Sequence, residues 1–356
     1  MTRSAAPAAG GRLRTADFDY ELPESLIAQR PADRRDASRL LVLDRATGRI
    51  EDRRFPDLVR ALRAGDVLAV NDSRVFPARL VGRKPTGAPA EILLLRPAAG
   101  TDESRWEALV RPGGKLKPGR VVEISSDLSV VIEDSAPGGG RVVRIVGEGD
   151  PRALIERHGA MPLPPYIRRP GDRADRIRYQ TVYAEHEGSV AAPTAGLHFT
   201  PALLARIEAR GVGIVRLTLH VGIGTFRPVD AERPEGHELH AEPFRVTAAA
   251  AARLNEARAV GGRVWAVGTT TARTLETIVG PDGEFEAAEG STDLFIHPPF
   301  AFRGVDGLLT NFHLPRSSLL MLVSAFAGHE RVMAAYAHAI RERYRFYSYG
   351  DAMLVT

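Results

Sequence analysis

A chain of 356 residues exceeds the ~100–200 typical of one domain, so it is expected to hold two, or one enlarged by an insertion. Apolar residues make up 44% and charged residues 26%, globular proportions that argue against a long disordered or fibrous chain. Cysteine is absent, which excludes disulfides, thiolate metal sites, a cysteine nucleophile and cysteine-ligated clusters; 48 basic against 44 acidic side chains leave a net charge of +4, fitting a polyanionic partner or an arginine-rich proteome.

Residues 1–16 carry three arginines and no acid, as transit peptides do, but lack a secretory apolar stretch; they are read as a disordered tail. Residues 22–30 predict a short helix with Pro23 near its start, and SRLLVLDRATGRIEDRRF predicts two strands joined around Thr47 and Gly48. Residues 56–64 place Leu58, Val59 and Leu62 at helical spacing, stop at Gly65 and feed the apolar strand 67–70.

Across 73–150 the texture changes to short β-rich pieces (ARLVGR, AEILLLR, RWEALVR, RVVEIS, LSVVIED, RVVRIVG) separated by Gly, Pro and Asp turns, which predicts an inserted small antiparallel β-barrel domain. There RPGGKLKPG offers an arginine and two lysines on a glycine-rich turn, readable as a phosphate contact or a solvated hairpin. The α/β texture resumes with the helix PRALIERHG and the proline-rich linker MPLPPYI. A capped helix follows from Thr200 and Pro201 to Gly211, then the strand IVRLTLHV. Thr247 caps an alanine-rich helix to Ala259, RVWAVG is a strand, and a run of threonines opens the next helix. LLTNFHL and the helices 317–326 and 330–344 complete the alternation. Residues 17–72 and 151–356 thus predict a discontinuous, layered α/β catalytic domain with functional loops at its strand ends. The longest apolar run, 318–327, is about half the ~20 residues of a membrane span and reads as a buried helix.

Polar blocks fall at these strand ends. NDSRVFP (71–77) is a loop able to reach a ligand or an Asx turn made by Asn71 or Asp72. SVAAPTAGLHFT (189–200) offers small residues that let a ligand approach the backbone, then His198 and Phe199 before a helix start suited to a carboxylate; a tight turn is the other reading. HVGIGTFRP (220–228) lacks the third glycine of a dinucleotide fingerprint and reads as a loop beside another ligand or a structural turn. HELHAEPF (237–244) has two histidines and Glu242 without the helical zinc spacing, which favours acid–base or hydrogen-bonding work over a metal. VGTTTARTLE offers hydroxyls to a nucleoside or phosphate, or simply caps a helix, without the glycine and lysine spacing of a P-loop. TDLFIHPPF and TNFHLPRSSLLMLVSAF bring His297, Asn311, Phe312, His313 and Arg316 to element ends, for base stacking or core packing.

In order, NDSRVFPARL, PTAGLHFT, HVGIGTFRPV, HELHAEPF, VGTTTARTLE, TDLFIHPPF, TNFHLPRSSLLMLVSAFAG and YSYGDAML resemble the S-adenosylmethionine:tRNA ribosyltransferase-isomerase family of queuosine biosynthesis, from about Asp17 to the C-terminus. Departures are confined to the tail and to stretches near 98–103 and 136–140, outside every motif. The resemblance implies a cytoplasmic, monomeric transferase. It takes the ribosyl part of S-adenosylmethionine, a co-substrate, and passes it to the aminomethyl group of a 7-deazaguanine at the tRNA wobble position. Adenine and methionine leave and epoxyqueuosine remains, with no prosthetic group and no metal. A non-catalytic tRNA-binding module and a conventional RNA methyltransferase are the competing classes. On block position, His198 and His240 are the acid–base candidates, Glu242 stands near the sulfonium or the amine, and Asp72 orients the donor ribose. Arg74 and Arg316 are assigned to a phosphate or to the methionine carboxylate. Asn71, Thr194, Gly196, Phe199, His220, Gly222, Gly224, Thr269, Thr270, Asn311 and His313 are the expected pocket lining. Arginines across 30–39 and 168–178 are natural tRNA phosphate contacts or a solvated face.

Overall fold

The computed structural model describes residues 13–98, 100, 103–222 and 229–356. The chain opens with β1 (Arg39–Leu43) and β2 (Ile50–Arg54), a hairpin, followed by β3 (Val67–Asn71) and β4 (Ser73–Val75). Then β5 (Arg79–Arg83), β6 (Pro89–Pro97), β7 (Arg105–Arg111), β8 (Val121–Ser125), β9 (Leu128–Ala136) and β10 (Gly140–Gly147) close into an antiparallel barrel, ordered β10-β7-β6-β5-β8-β9. The remainder is α1 (Pro151–His158), α2 (Arg173–Arg178), β11 (His186–Ser189), α3 (Pro201–Glu208), β12 (Gly213–Leu219), β13 (Glu242–Val246) and α4 (Ala248–Ala259). It ends with β14 (Val264–Val267), α5 (Thr269–Ile278), β15 (Ala288–Thr292), β16 (Gly307–Asn311), α6 (Ser318–Ala327), α7 (His329–Arg341) and β17 (Ala352–Val355).

The large sheet runs β15-β13-β12-β3-β14-β16-β17-β1-β2, with β12, β3, β14 and β16 parallel at its centre. β3 is apolar from Val67 to Val70, as suits a strand covered on both faces. Val67 and Ala69 pack with α4 to α7 on one side; Leu68 and Val70 pack with Phe55, Phe199 and Leu203 on the other. Fully burying side chains of this size is worth about 1.5–3 kcal/mol each, so a charge at Val70 should unfold the centre of the sheet.

Barrel strands alternate buried and solvent-facing residues, and Leu80, Ile92, Leu94, Val122, Val130 and Val143 fill the interior. Gly82 lets β5 approach β8, since a Cβ there would lie 2.2 Å from the Glu123 carbonyl oxygen.

Two expected helices are shorter than their sequence pattern. Residues 22–30 form only a 3-10 turn, Glu24–Leu26, because Ala28 donates to the Phe346 carbonyl and Phe346 to that of Leu26, diverting the backbone into a tertiary bridge. Residues 56–64 form a 3-10 turn, Phe55–Arg60, that still buries Leu58, Val59 and Leu62. The expected tail also ends sooner: residues 1–12 lie outside the described residues, but Thr15 is buried, its amide donating to the Glu232 carbonyl and its hydroxyl to that of Ala231. No described helix is long and apolar enough to cross a membrane.

Candidate functional site

The carboxyl ends of the four parallel central strands collect polar side chains, as open α/β sheets do around their ligands. Two hydrogen-bonded groups form there. In the first, Asn71 at the tip of β3 accepts from Ser73 N (3.0 Å) and Leu219 N (3.1 Å) and donates to the Leu219 carbonyl (2.9 Å) and Thr270 Oγ1 (3.3 Å). That tie orients Ser73, whose Oγ lies 2.6 Å from Ser189 Oγ and 2.7 Å from His220 Nδ1. Ser189 Oγ in turn accepts from Val221 N at 2.8 Å.

Counting hydrogens assigns the direction of this relay. If His220 Nδ1 donated to Ser73, and Ser73 to Ser189, the Ser189 hydroxyl hydrogen would be buried with no acceptor among the described residues. The opposite direction, Ser189 to Ser73 to His220 Nδ1, uses every hydroxyl hydrogen and leaves Nε2–H as the free corner of the ring. Burial, and the nearby His186, hold the His220 pKa below its ordinary value, so the imidazole is neutral at pH 7. Gly188 leaves room for the ring: a Cβ there would sit 2.7 Å from His220 Cε1.

His220 lines a cavity of about 460 Å3 between the outer wall of the barrel and the edge of the large sheet. Phe76, Leu95, Trp106 and Leu109 supply an apolar side; Gly222, His240, Glu242 and Arg273 supply a polar one. Volume and lining suit a small organic molecule with a few polar anchors. Glu242, the first residue of β13, accepts from Gly222 N (2.8 Å) and from Arg273 Nη1. Arg273 on α5 also donates Nε to the Leu294 carbonyl (3.0 Å) and Nη2 to that of Thr292 (3.2 Å). Both charges are almost wholly buried, an arrangement kept only when hydrogen bonds replace the lost water.

The second group is solid. His198 is buried, with Nδ1 2.8 Å from Ser38 Oγ and Nε2 3.3 Å from Asn311 Nδ2; Thr194 Oγ1 donates to Asn311 Oδ1 at 2.8 Å. Burial pushes the His198 pKa down to about 3, with Arg345 and Arg35 adding to the effect. A neutral ring accepting at Nε2 and donating at Nδ1 fits that value.

Of the residues expected at the site, His220, Gly222, His240 and Glu242 line this cavity. His198, Asn311 and Phe199 are instead buried in the protein, the last edge-on to Phe55 at 5.1 Å, and Thr194, half-buried, is bonded to Asn311. Asp72 accepts from Thr218 Oγ1 (2.7 Å) and is not part of the lining; burial raises its pKa. Thr269 and Thr270 open α5, with Thr270 turned to Asn71. Gly196 is required by packing, because a Cβ there would lie 2.1 Å from Tyr183 Oη. His313 is buried against Thr310 Oγ1 at 2.6 Å, its pKa pushed down to about 3; Arg316 pairs with Asp19 at 3.2 Å. Phe312 packs among Tyr336, Tyr344 and Phe346, and His297 caps its own turn at the Pro298 carbonyl. Gly224 lies outside the described residues.

Sequence reasoning missed Ser73, Ser189 and Arg273 as site residues, although all three stand inside the polar blocks. The signal for Arg273 was a lone arginine one turn into a threonine-rich helix start. Several arginines of the two stretches, 30–39 and 168–178, tie the protein together. Arg35 donates to the carbonyls of Leu197 (3.1 Å) and Ile177 (2.6 Å), Arg178 to that of Asp33 (3.0 Å), and Arg169 grips Asp175 with both Nη atoms at 2.7 Å. The stretches therefore lace two distant parts of the chain together. Among the described residues one histidine–carboxylate group, Asp72, Glu185 and His186, brings ligand atoms within 4.8 Å of one another; it includes no residue of HELHAEPF.

A layered α/β sheet carrying a closed barrel, with a half-polar cavity at the strand tips, is an architecture suited to holding a small organic molecule. The chain belongs to the family of queuosine biosynthesis proteins, whose model matches residues 15–355. It resembles the S-adenosylmethionine:tRNA ribosyltransferase-isomerase of Symbiobacterium thermophilum, 54% identical over 345 residues that cover 96% of this chain and 100% of that one. The protein of the same name from Moorella thermoacetica is 54% identical over 346 residues, again covering 96% and 100%. The crystal structure of the S-adenosylmethionine tRNA ribosyltransferase of Thermotoga maritima has 43% identity and a TM-score of 0.55, covering 96% of this chain and 100% of that one.

Proposed function

We propose that this chain is an S-adenosylmethionine:tRNA ribosyltransferase-isomerase. It moves the ribosyl part of the donor onto the aminomethyl group of 7-aminomethyl-7-deazaguanine at the tRNA wobble position, isomerises it and releases adenine and methionine. The observation that carries the reading is its full-length likeness to enzymes of that name, joined to a cavity in which a neutral imidazole faces a buried carboxylate–guanidinium pair.

The donor's sulfonium charge acidifies the adjoining ribose C–H and lets methionine depart as a neutral thioether, so the chain must move protons and exclude water rather than supply a redox group. His220 offers Nε2–H to a departing purine nitrogen or a ribose hydroxyl. Glu242, held on one edge by Arg273, presents the carboxylate that faces the sulfonium. His240, exposed at the cavity rim, takes the proton that the attacking amine must shed. Asn71, Thr270 and Ser73 hold His220, while His198, Asn311 and Thr194 frame the neighbouring strand tips. A cytoplasmic monomer is the working form that the family likeness supports.

Product analysis tests this. With S-adenosylmethionine and tRNA already carrying the aminomethyl base, the chain should release free adenine. S-adenosylhomocysteine in its place would mean a methyltransferase, and neither product a binding module.

A further inference from the structure

A second space, about 580 Å3, adjoins the cavity and shares Phe76, Trp106, Arg152 and Glu187 with it. Its floor is apolar, from Pro77, Ile155 and Met161, and its rim carries Arg74, Arg152 and Arg176. Two of these guanidiniums are fixed by the protein. Arg152 bridges Glu103 (3.0 Å) and Glu187 (3.4 Å) with its head 5.8 Å from the Trp106 ring; Arg176 holds Glu156 (2.9 Å) and the Gly159 carbonyl (2.7 Å). Arg74 is different: it is exposed on β4 and makes no ion pair with a described residue. Beside it on the rim stands Ile177, 70% exposed, an apolar side chain offered to solvent in an arginine-rich helix.

An apolar floor under a cationic rim matches a nucleotide, whose base seeks apolar contact while its phosphate seeks guanidinium. Group transfer also needs two ligands in neighbouring spaces, and these two share part of their lining. Resting on the reading above, we infer that the donor fills the cavity and that the second space receives the RNA strand at the nucleotide under modification. Arg74 binds a flanking phosphate, and Arg152 and Arg176 form the fixed sides of the cradle. The phosphate contact is electrostatic and sequence-independent, so it sets how tightly the tRNA binds without reading its bases.

The test is binding of tRNA carrying the aminomethyl base, without donor, to the full chain over a range of salt. Because Arg74 has no ion pair to lose, its removal should leave the fold intact, which a thermal melt checks. Arg74→Ala should weaken binding about five- to tenfold at low salt and reduce the log–log salt slope by about one, with Arg74→Lys restoring most of both. Lys115→Ala with Lys117→Ala, on the barrel's glycine-rich turn, should change neither. Wild-type affinity and slope for Arg74→Ala would overturn the assignment, as would a loss that follows the two lysines instead. Failure of the underlying reading is a separate result: the wild-type chain would bind the tRNA normally and release no adenine.

Discussion

Ser73 Oγ stands 2.7 Å from His220 Nδ1, and that one hydrogen bond decides which nitrogen of the ring the cavity sees. Ser73 is wholly buried and Asn71 holds its backbone, so the hydroxyl has no freedom to serve another partner. The pair is therefore a unit, with the serine acting on chemistry only through the ring.

A unit shows itself by non-additivity. His220→Gln should lower the rate of adenine release by about 10²–10⁴, the usual range for losing an acid–base group. Ser73→Ala should cost about tenfold, and the double variant should be no slower than His220→Gln alone. Multiplied effects in the double variant would show that the two residues act separately.

Gly188 gives a steric version of the same experiment. Gly188→Ala drives a methyl group to within 2.7 Å of His220 Cε1, so the ring must leave its place. Turnover should fall nearly as far as in His220→Gln, while donor binding measured by calorimetry weakens far less. Unimpaired turnover would mean that the ring's position is immaterial to the reaction.

The Glu242–Arg273 pair predicts a stability effect. Glu242→Gln leaves a guanidinium buried without its counter-charge, which should cost about 3–5 kcal/mol. Glu242→Gln combined with Arg273→Met should recover part of that stability and none of the activity. Urea unfolding at neutral pH reads the first, adenine release the second. A single variant as stable as the parent would contradict the burial of the pair.

Acid should unfold the protein through two histidines outside the cavity. His198 and His313 have folded pKa values near 3, below the ordinary 6.5, so the unfolded chain takes up their protons first as pH falls. Their contribution is complete above pH 6.5 and is lost progressively below it, at about 1.4 kcal/mol per pH unit for each ring. Urea midpoints between pH 7 and 4.5 should show a shallower acid limb in His198→Gln and in His313→Gln. An unchanged slope in both would mean that neither ring is held neutral by the fold.

Periodicity alone made most of the architecture legible. All six barrel strands and the strand–helix alternation after residue 200 are local patterns of two and of 3.6 residues, with Thr200, Thr247 and Ser317 each capping a helix through a hydrogen bond to its first turn. The helix expected at 22–30 failed for a non-local reason: Phe346 claims its backbone groups. The partners of Arg35 and Arg178 were likewise not legible, because the carbonyls that accept from them, at Leu197 and Asp33, lie far away in sequence.

The sequence by itself determined the family, the barrel and the blocks in which the polar residues sit, because each is written in the order of neighbouring residues. Which histidine meets the cavity was decided only in three dimensions. His198 and His220 stand in equally suggestive motifs; one is sealed beneath Phe55 and Asn311, the other is turned outward by a serine 147 residues away. Burial and partner choice depend on which strand tips the sheet brings together, and no local pattern encodes that.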